Sequence, residues 1–306
     1  MNRLQANLCL LCTTLCWSTE VIIFSIIPED ILPFATTCIT SLVGAVLLFF
    51  CFSGRIIKAL KDDRCALLRR AFLLAVMNAT YNLLFMFGLE DFDVSAGAFT
   101  LSLTVVAVPL VLFIQRKKVG PRTLISAAMV LIGIISAMAA TFHVNQLEGL
   151  SLIAIGCVMR ADFIVRLNRY AREHDPISMV SLMAAFSGLI SFFIWLPLQP
   201  ATFAAINWTG TTIASLAVYA YFVVGFAQVL NFFAQRRTTP TDATILYSME
   251  IVFSVIWSAF LPPSLIDRVP LTVPVIIGVL FVVAGNIIVI YEPGMLHFGK
   301  KKEGAS

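Results

Sequence analysis

A chain of 306 residues with 59% hydrophobic and only 12% charged residues, and a mean hydropathy of +0.94, is too apolar for a water-soluble globule, where about 25% charged is typical. This balance predicts an all-α polytopic membrane protein and excludes a soluble domain. The net charge of +4 arises from basic residues spread over several loops, which excludes a nucleic-acid patch as a partner surface.

A hydrocarbon core about 30 Å thick needs roughly 20 apolar residues per helix. Ten such spans can be drawn, at 6–27, 31–53, 67–88, 93–115, 121–142, 148–168, 176–198, 211–234, 241–262 and 270–291. Span 1 follows "MNRLQAN"; it exceeds the apolar run of about 7–15 residues of a signal peptide and contains Glu20, so it is read as a retained helix. The longest connection, "SGRIIKALKDDRCALL", is read as a loop between spans 2 and 3. With the N-terminus cytoplasmic, 19 of the 21 Lys and Arg fall on the cytoplasmic side, leaving Arg268 outside and Arg160 within the membrane. Such an excess marks the cytoplasmic face. It predicts both termini inside, in a plasma (bacterial inner) membrane, with the loop cations solvated or among lipid headgroups.

A charge at the bilayer centre costs at least ~2.5–3.5 kcal/mol, and such residues usually face a bundle interior or watery cavity. Span 1 carries Glu20, with Thr13, Cys16 and Trp17 on its face. Span 3 offers Asn78, Tyr81 and Asn82. Span 6 carries Arg160 and Asp162, which are two apart and so point to different faces. Span 8 offers Tyr221, Gln228 and Asn231. Span 9 sets Glu250 almost at the middle of "ILYSMEIVFSVIW", with Tyr247, Ser254 and Trp257 on roughly the same face. Three acids against one base leave an excess of negative charge, open to a proton or a cation, and aromatic rings beside carboxylates suit an organic cation. The competing reading is a salt-bridge network that merely holds helices together, with Arg160 reaching Glu20 or Glu250. Trp257 and Tyr221 as interface anchors, and the amides as interhelical glue, are the corresponding plain readings.

No catalytic, metal or cofactor set is expected. Cys9, Cys12 and Cys16 share a face but pack as small hydrophobes. His143, His174 and His297 lie near membrane edges or in loops, and no HExxH spacing occurs.

The chain also aligns with itself by pattern. "CWSTEVIIFS" lies against "VMRADFIVRL", pairing Glu20 with Asp162; "DILPFATT" against "EHDPISMV", pairing Pro33 with Pro176; and "LIGIISAM" against "VAGNIIVI", setting Gly133 opposite Gly285. Residues 1–145 and 146–296 thus form two five-helix repeats, followed by a basic cytoplasmic tail at 297–306. Because five is odd, the second repeat enters the membrane from the opposite side. At 1.5 Å per residue, Glu20 then lies about 5 Å to the outer side of its span's centre and Asp162 about 6 Å to the inner side, as an inverted pair requires.

Ten short helices in two halves, Trp17-Ser18 late in span 1, "SAGAF" opening span 4 with Pro109 beyond it, and the Gly-containing ends of spans 5 and 10 resemble the drug/metabolite transporter superfamily, EamA type, over roughly 6–291. The acidic "LGE" that often follows spans 4 and 9 in that family is replaced by "FIQRKKV" and "FLPPSLIDR". The resemblance implies a metabolite or drug carrier whose central cavity is lined mainly by spans 1, 3, 4, 6, 8 and 9. The expected activity is secondary-active transport of a small polar, cationic or zwitterionic solute by alternating access, with proton coupling as one option. A solute/proton exchanger, a channel and an intramembrane enzyme are the rival readings. Partners expected are the solute, protons and membrane lipids, with a homodimer left open.

Overall fold

The computed structural model describes residues 1–26, 33–89, 103–138, 147–262 and 271–290, and regular structure there is helical throughout. The "SAGAF" motif, Arg268 and the basic tail lie outside the described residues. Span 1 is Arg3–Ser18 followed by Glu20–Ile26; spans 2 and 3 run within Pro33–Leu89; spans 4 to 7 are Thr104–Ile114, Pro121–Met138, Leu147–Glu173 and Pro176–Leu198. Span 8 joins Gly210–Tyr219, the π-helical Ala220–Ala227 and Gln228–Gln235. Span 9 joins Pro240–Tyr247 to Met249–Phe260, and span 10 is Val273–Ile290.

The stretch Pro33–Leu89 is 57 residues long, far more than one crossing needs. It bends where the backbone leaves helical geometry, at Phe52 (φ −130°, ψ 25°) and Asp63 (φ −153°, ψ 72°). The connection expected as a loop is therefore helical between these two breaks. Asp63 starts the next segment as a cap would, its carboxylate accepting from the Ala66 amide at 3.2 Å. Spans 7 and 9 begin alike: Asp175 and Thr239 cap the amides of Ser178 and Asp242, and each precedes a proline at the first helical position.

Large apolar side chains cover the outside, with Phe50, Phe113 and Phe260 78–87% exposed, as a lipid-facing surface requires. Inside, Leu10, Leu74, Val108, Ile153, Leu167, Phe232 and Leu246 form one core drawn from both halves.

The packing repeats under exchange of the halves. Span 1 packs on 8 and 9, and span 6 packs on 3 and 4; span 2 lies on 7, and 5 on 10. The last pair shows the exchange residue by residue. In the frame that sets Gly133 opposite Gly285, Ser126 stands opposite Gly278. A Cβ on Gly133 would lie 2.6 Å from the Gly278 carbonyl, and one on Gly285 3.0 Å from that of Ser126. The Ser136 hydroxyl donates to the Pro274 carbonyl at 3.2 Å, and its exchange partner is the hydrogen bond from Arg122 to Ile288 O. Small residues bring these backbones together where lipid supplies no hydrophobic drive between helices.

Candidate functional site

Three spans are interrupted, span 1 at Thr19, span 9 at Ser248 and span 8 by its π-helical segment; span 1 packs on both others, which meet each other through Tyr247. Backbone irregularity in a bilayer requires partners for the released polar groups. Hydroxyls supply them. Thr13 donates to Cys9 O (2.9 Å) and reaches Ala227 O, at the end of the π segment, at 3.3 Å. Thr14 donates to Leu10 O (2.8 Å) and reaches Leu246 O at 3.4 Å. Ser248 donates to Ile245 O (2.5 Å) and accepts from Asn286 Nδ2 (3.1 Å).

The acids sit immediately beyond the breaks. Glu20 opens the second segment of span 1, and the Tyr219 hydroxyl donates to its Oε1 at 2.5 Å. Glu250 follows Ser248 by two residues, is half-buried, and makes no hydrogen bond or ion pair among the described residues. The two carboxylates lie within electrostatic reach of each other and of Arg160, which also acts on Tyr81 and Tyr247. Yet Arg160 forms no ion pair within 4.0 Å among the described residues. One base and two acids thus act on one another without closing an ion pair among the described residues.

Aromatic and amide groups of the same spans form contacts of their own. Trp17 packs on Tyr247 with ring centroids 5.1 Å apart, and Trp257 Nε1 donates to Ser18 Oγ at 2.9 Å. The Tyr247 hydroxyl donates to Asn231 and accepts from Gln235 Nε2 at 2.8 Å, while Asn168 Nδ2 donates to Gln235 Oε1 at 3.0 Å. Tyr81 donates to Asn78 Oδ1 at 2.5 Å and lies between Phe85 and Phe163, each 5.5 Å away. Gln228 accepts from Asn231 Nδ2 at 3.4 Å.

Other sequence-selected residues lie elsewhere. Asp162, aligned with Glu20 in the repeat, is instead held by Arg166 Nε (2.7 Å) and Gln115 Nε2 (3.4 Å). Asn82 is exposed. Tyr221 is 57% exposed and stacks edge-on against Phe222. Tyr219, Ser18 and Gln235 hydrogen-bond to Glu20, Trp257 and Tyr247, and Asn168 to Gln235, and none of the four was selected from the sequence. For Tyr219 the reason is the π segment. Its i→i+5 bonding takes more residues per turn than an α-helix, so Tyr221, seven residues before Gln228, does not return to the Gln228 face.

The basic end of the bundle is clasped by ion pairs between the two halves. Arg55 meets Asp175 at 2.7 Å, Arg70 meets Glu173 at 2.5 Å and donates to His174 Nε2 at 2.5 Å, and Arg3 meets the buried Asp242 at 2.8 Å. Among the basic residues of this end, Arg3, Arg55, Arg70, Arg166 and Arg169 each hold an acid while most of them keep access to solvent. Burial and the neighbouring Arg70 guanidinium hold His174 below the usual imidazole range.

The EamA-like transporter family matches the chain twice, over residues 4–139 and 141–291. The chain belongs to that family. This EamA-like protein is accordingly a multi-pass membrane transporter of the drug/metabolite transporter superfamily. No curated protein matches it significantly. It is similar to a protein of solved crystal structure, with a TM-score of 0.74 over 93% of this chain and 96% of the other at 16% identity, a likeness that shows the fold.

Proposed function

We propose that this transporter carries a small cationic or zwitterionic organic solute by alternating access, with Glu250 and Glu20 receiving the cationic group and Arg160 facing any carboxylate. The observation that carries the reading is that Glu20, Glu250 and Arg160 lie within electrostatic reach of one another, yet no ion pair within 4.0 Å closes among them. A structural ion pair in low dielectric collapses to hydrogen-bond distance, because a buried charge without a close partner costs several kcal/mol. Charges left apart instead fit a guest that bridges them. Trp17, Trp257, Tyr81 and Tyr247 provide ring faces of the kind that attract ammonium groups by about 0.5–2 kcal/mol.

Transport then follows from exchange of closure. With the ion pairs of the basic end intact, the solute site is sealed on that side; its occupation offsets the charge excess and permits the halves to rock about their shared contacts. In the empty site the excess carboxylate accepts a proton, which makes solute/proton exchange the natural coupling.

The test is uptake of labelled organic cations and zwitterions into proteoliposomes. Glu250→Gln lowers uptake by about tenfold to a hundredfold, the worth of a charge-assisted contact, with the melting temperature unchanged. Unchanged transport by this variant rejects the reading. Accelerated exchange of labelled solute by unlabelled solute on the far side identifies a carrier; steady single-channel current identifies a channel instead.

A further inference from the structure

A second charged constellation lies at the basic end, apart from the central site. A cavity of about 510 Å³ opens there, lined by Met1, Arg172, Phe233, Arg236 and Arg237. It is built from three parts of the chain: the start of span 1, the end of span 6, and the end of span 8 with the turn that follows. The turn is fixed. Arg172 Nη2 donates to Thr238 O at 2.7 Å, and Asn168 Nδ2 donates to the same carbonyl at 3.0 Å, so the segment carrying Arg236 and Arg237 is tied to span 6.

The charge of this pocket is unbalanced. None of Arg172, Arg236 and Arg237 forms an ion pair among the described residues. The acids nearby are already engaged: Glu173 holds Arg70 and Arg169, and Asp175 holds Arg55, whose guanidinium lies 5.9 Å over the Phe233 ring. Elsewhere at this end Arg3, Arg55 and Arg70 are matched to carboxylates. Three guanidinium groups converging on one concavity without a counter-charge form an anion receptor, and guanidinium forks match phosphate oxygens in geometry. The volume exceeds what a bare phosphate fills and falls in the range of small-ligand sites, while Phe233 gives the pocket an apolar wall.

We propose that this cavity binds a phosphate-bearing anion, and that the bound anion ties span 1 to spans 6 and 8 and so favours closure of the basic end. Two sources carry that chemistry: the headgroup of an anionic phospholipid and a soluble organic phosphate. Basic pockets between membrane helices have this use.

The full-length protein is placed in nanodiscs of phosphatidylcholine alone, in nanodiscs containing phosphatidylglycerol, and in phosphatidylcholine nanodiscs with glycerol phosphate added to the buffer. Thermal stability is followed in each, together with the retention of lipid by native mass spectrometry. Either the phosphatidylglycerol arm or the glycerol phosphate arm raises the melting temperature, and whichever does so names the source. In the double variant Arg236→Gln/Arg237→Gln, both exposed residues, the apparent affinity for that anion falls by about thirtyfold, at roughly fivefold per arginine. The control Lys117→Gln/Lys118→Gln removes two exposed cations from another loop of the same end and leaves the affinity unchanged. No stabilisation from either anion overturns the proposal, as does an equal loss in the two double variants, which reduces the effect to general surface charge.

Discussion

Spans 1, 8 and 9 and their exchange partners 6, 3 and 4 occupy equivalent places in the fold, yet they are built differently. The first set is interrupted at Thr19, Ala220–Ala227 and Ser248 and carries Glu20 and Glu250, neither in an ion pair among the described residues. In the second, span 6 runs unbroken from Leu147 to Glu173 and carries the base, Arg160, while its aligned acid Asp162 is committed to Arg166. The inverted repeat therefore supplies a symmetric frame, and local departures from helical geometry distinguish its two sides. A continuous helix spends its backbone groups on itself. A broken one leaves room and polarity beside an acid.

The contrast can be broken most sharply at its single base. Arg160→Gln leaves the acids without the opposing charge, so uptake of zwitterions falls by about tenfold to a hundredfold while uptake of simple organic cations persists; loss of both to the same degree would show that Arg160 acts on architecture alone. The frame itself is tested by Gly133→Ala. Its Cβ would meet the Gly278 carbonyl at 2.6 Å, so backbone must move, at a cost of about 1–3 kcal/mol read as a lower melting temperature. Removing Arg3 with Arg3→Ala strands Asp242, whose side chain is 3% exposed, while Arg3 itself is 41% exposed. The discounted loss is about 1–2 kcal/mol, and a paired Asp242→Asn change recovers part of it.

Smaller effects sharpen the picture. Thr14→Val removes the hydroxyl that reaches from span 1 to Leu246 O beside the break in span 9, costing about 0.5–1 kcal/mol. At the basic end, His174 is held below its unfolded pKa of about 6.5. Below that value the unfolded chain binds a proton that the folded protein resists. Stability contributed by the neutral imidazole is thus present above about pH 6.5 and lost as pH falls toward the folded value. His174→Gln flattens this part of the melting temperature against pH; an unchanged slope assigns it to other groups.

The spans and the repeat were legible because hydropathy and the order of apolar runs are properties of whole segments. Glu20, Glu250 and Arg160 stood out because charge is rare in such runs, and the structure brings them within reach of one another. The breaks were not legible. Thr19 and Ser248 lie in runs whose composition is that of an ordinary helix, and the π segment has no proline and only Gly225, a residue common in membrane helices, to announce it. This hid Tyr219 behind Tyr221, since a face drawn at 3.6 residues per turn fails across a wider turn. The loop reading of 54–66 failed for the reverse reason: charge marks where a chain leaves lipid, and a helix can continue into water.

The close approach of spans 5 and 10 has a mechanical consequence. At Gly133–Gly278 and Ser126–Gly285 main chain approaches main chain closely, with Ala137, Val130 and Val282 packed beside the contact, so little soft side-chain layer separates the two helices. Under the rocking proposed above, this seam would serve as the axle, small tilts there widening toward the far edges of the two halves.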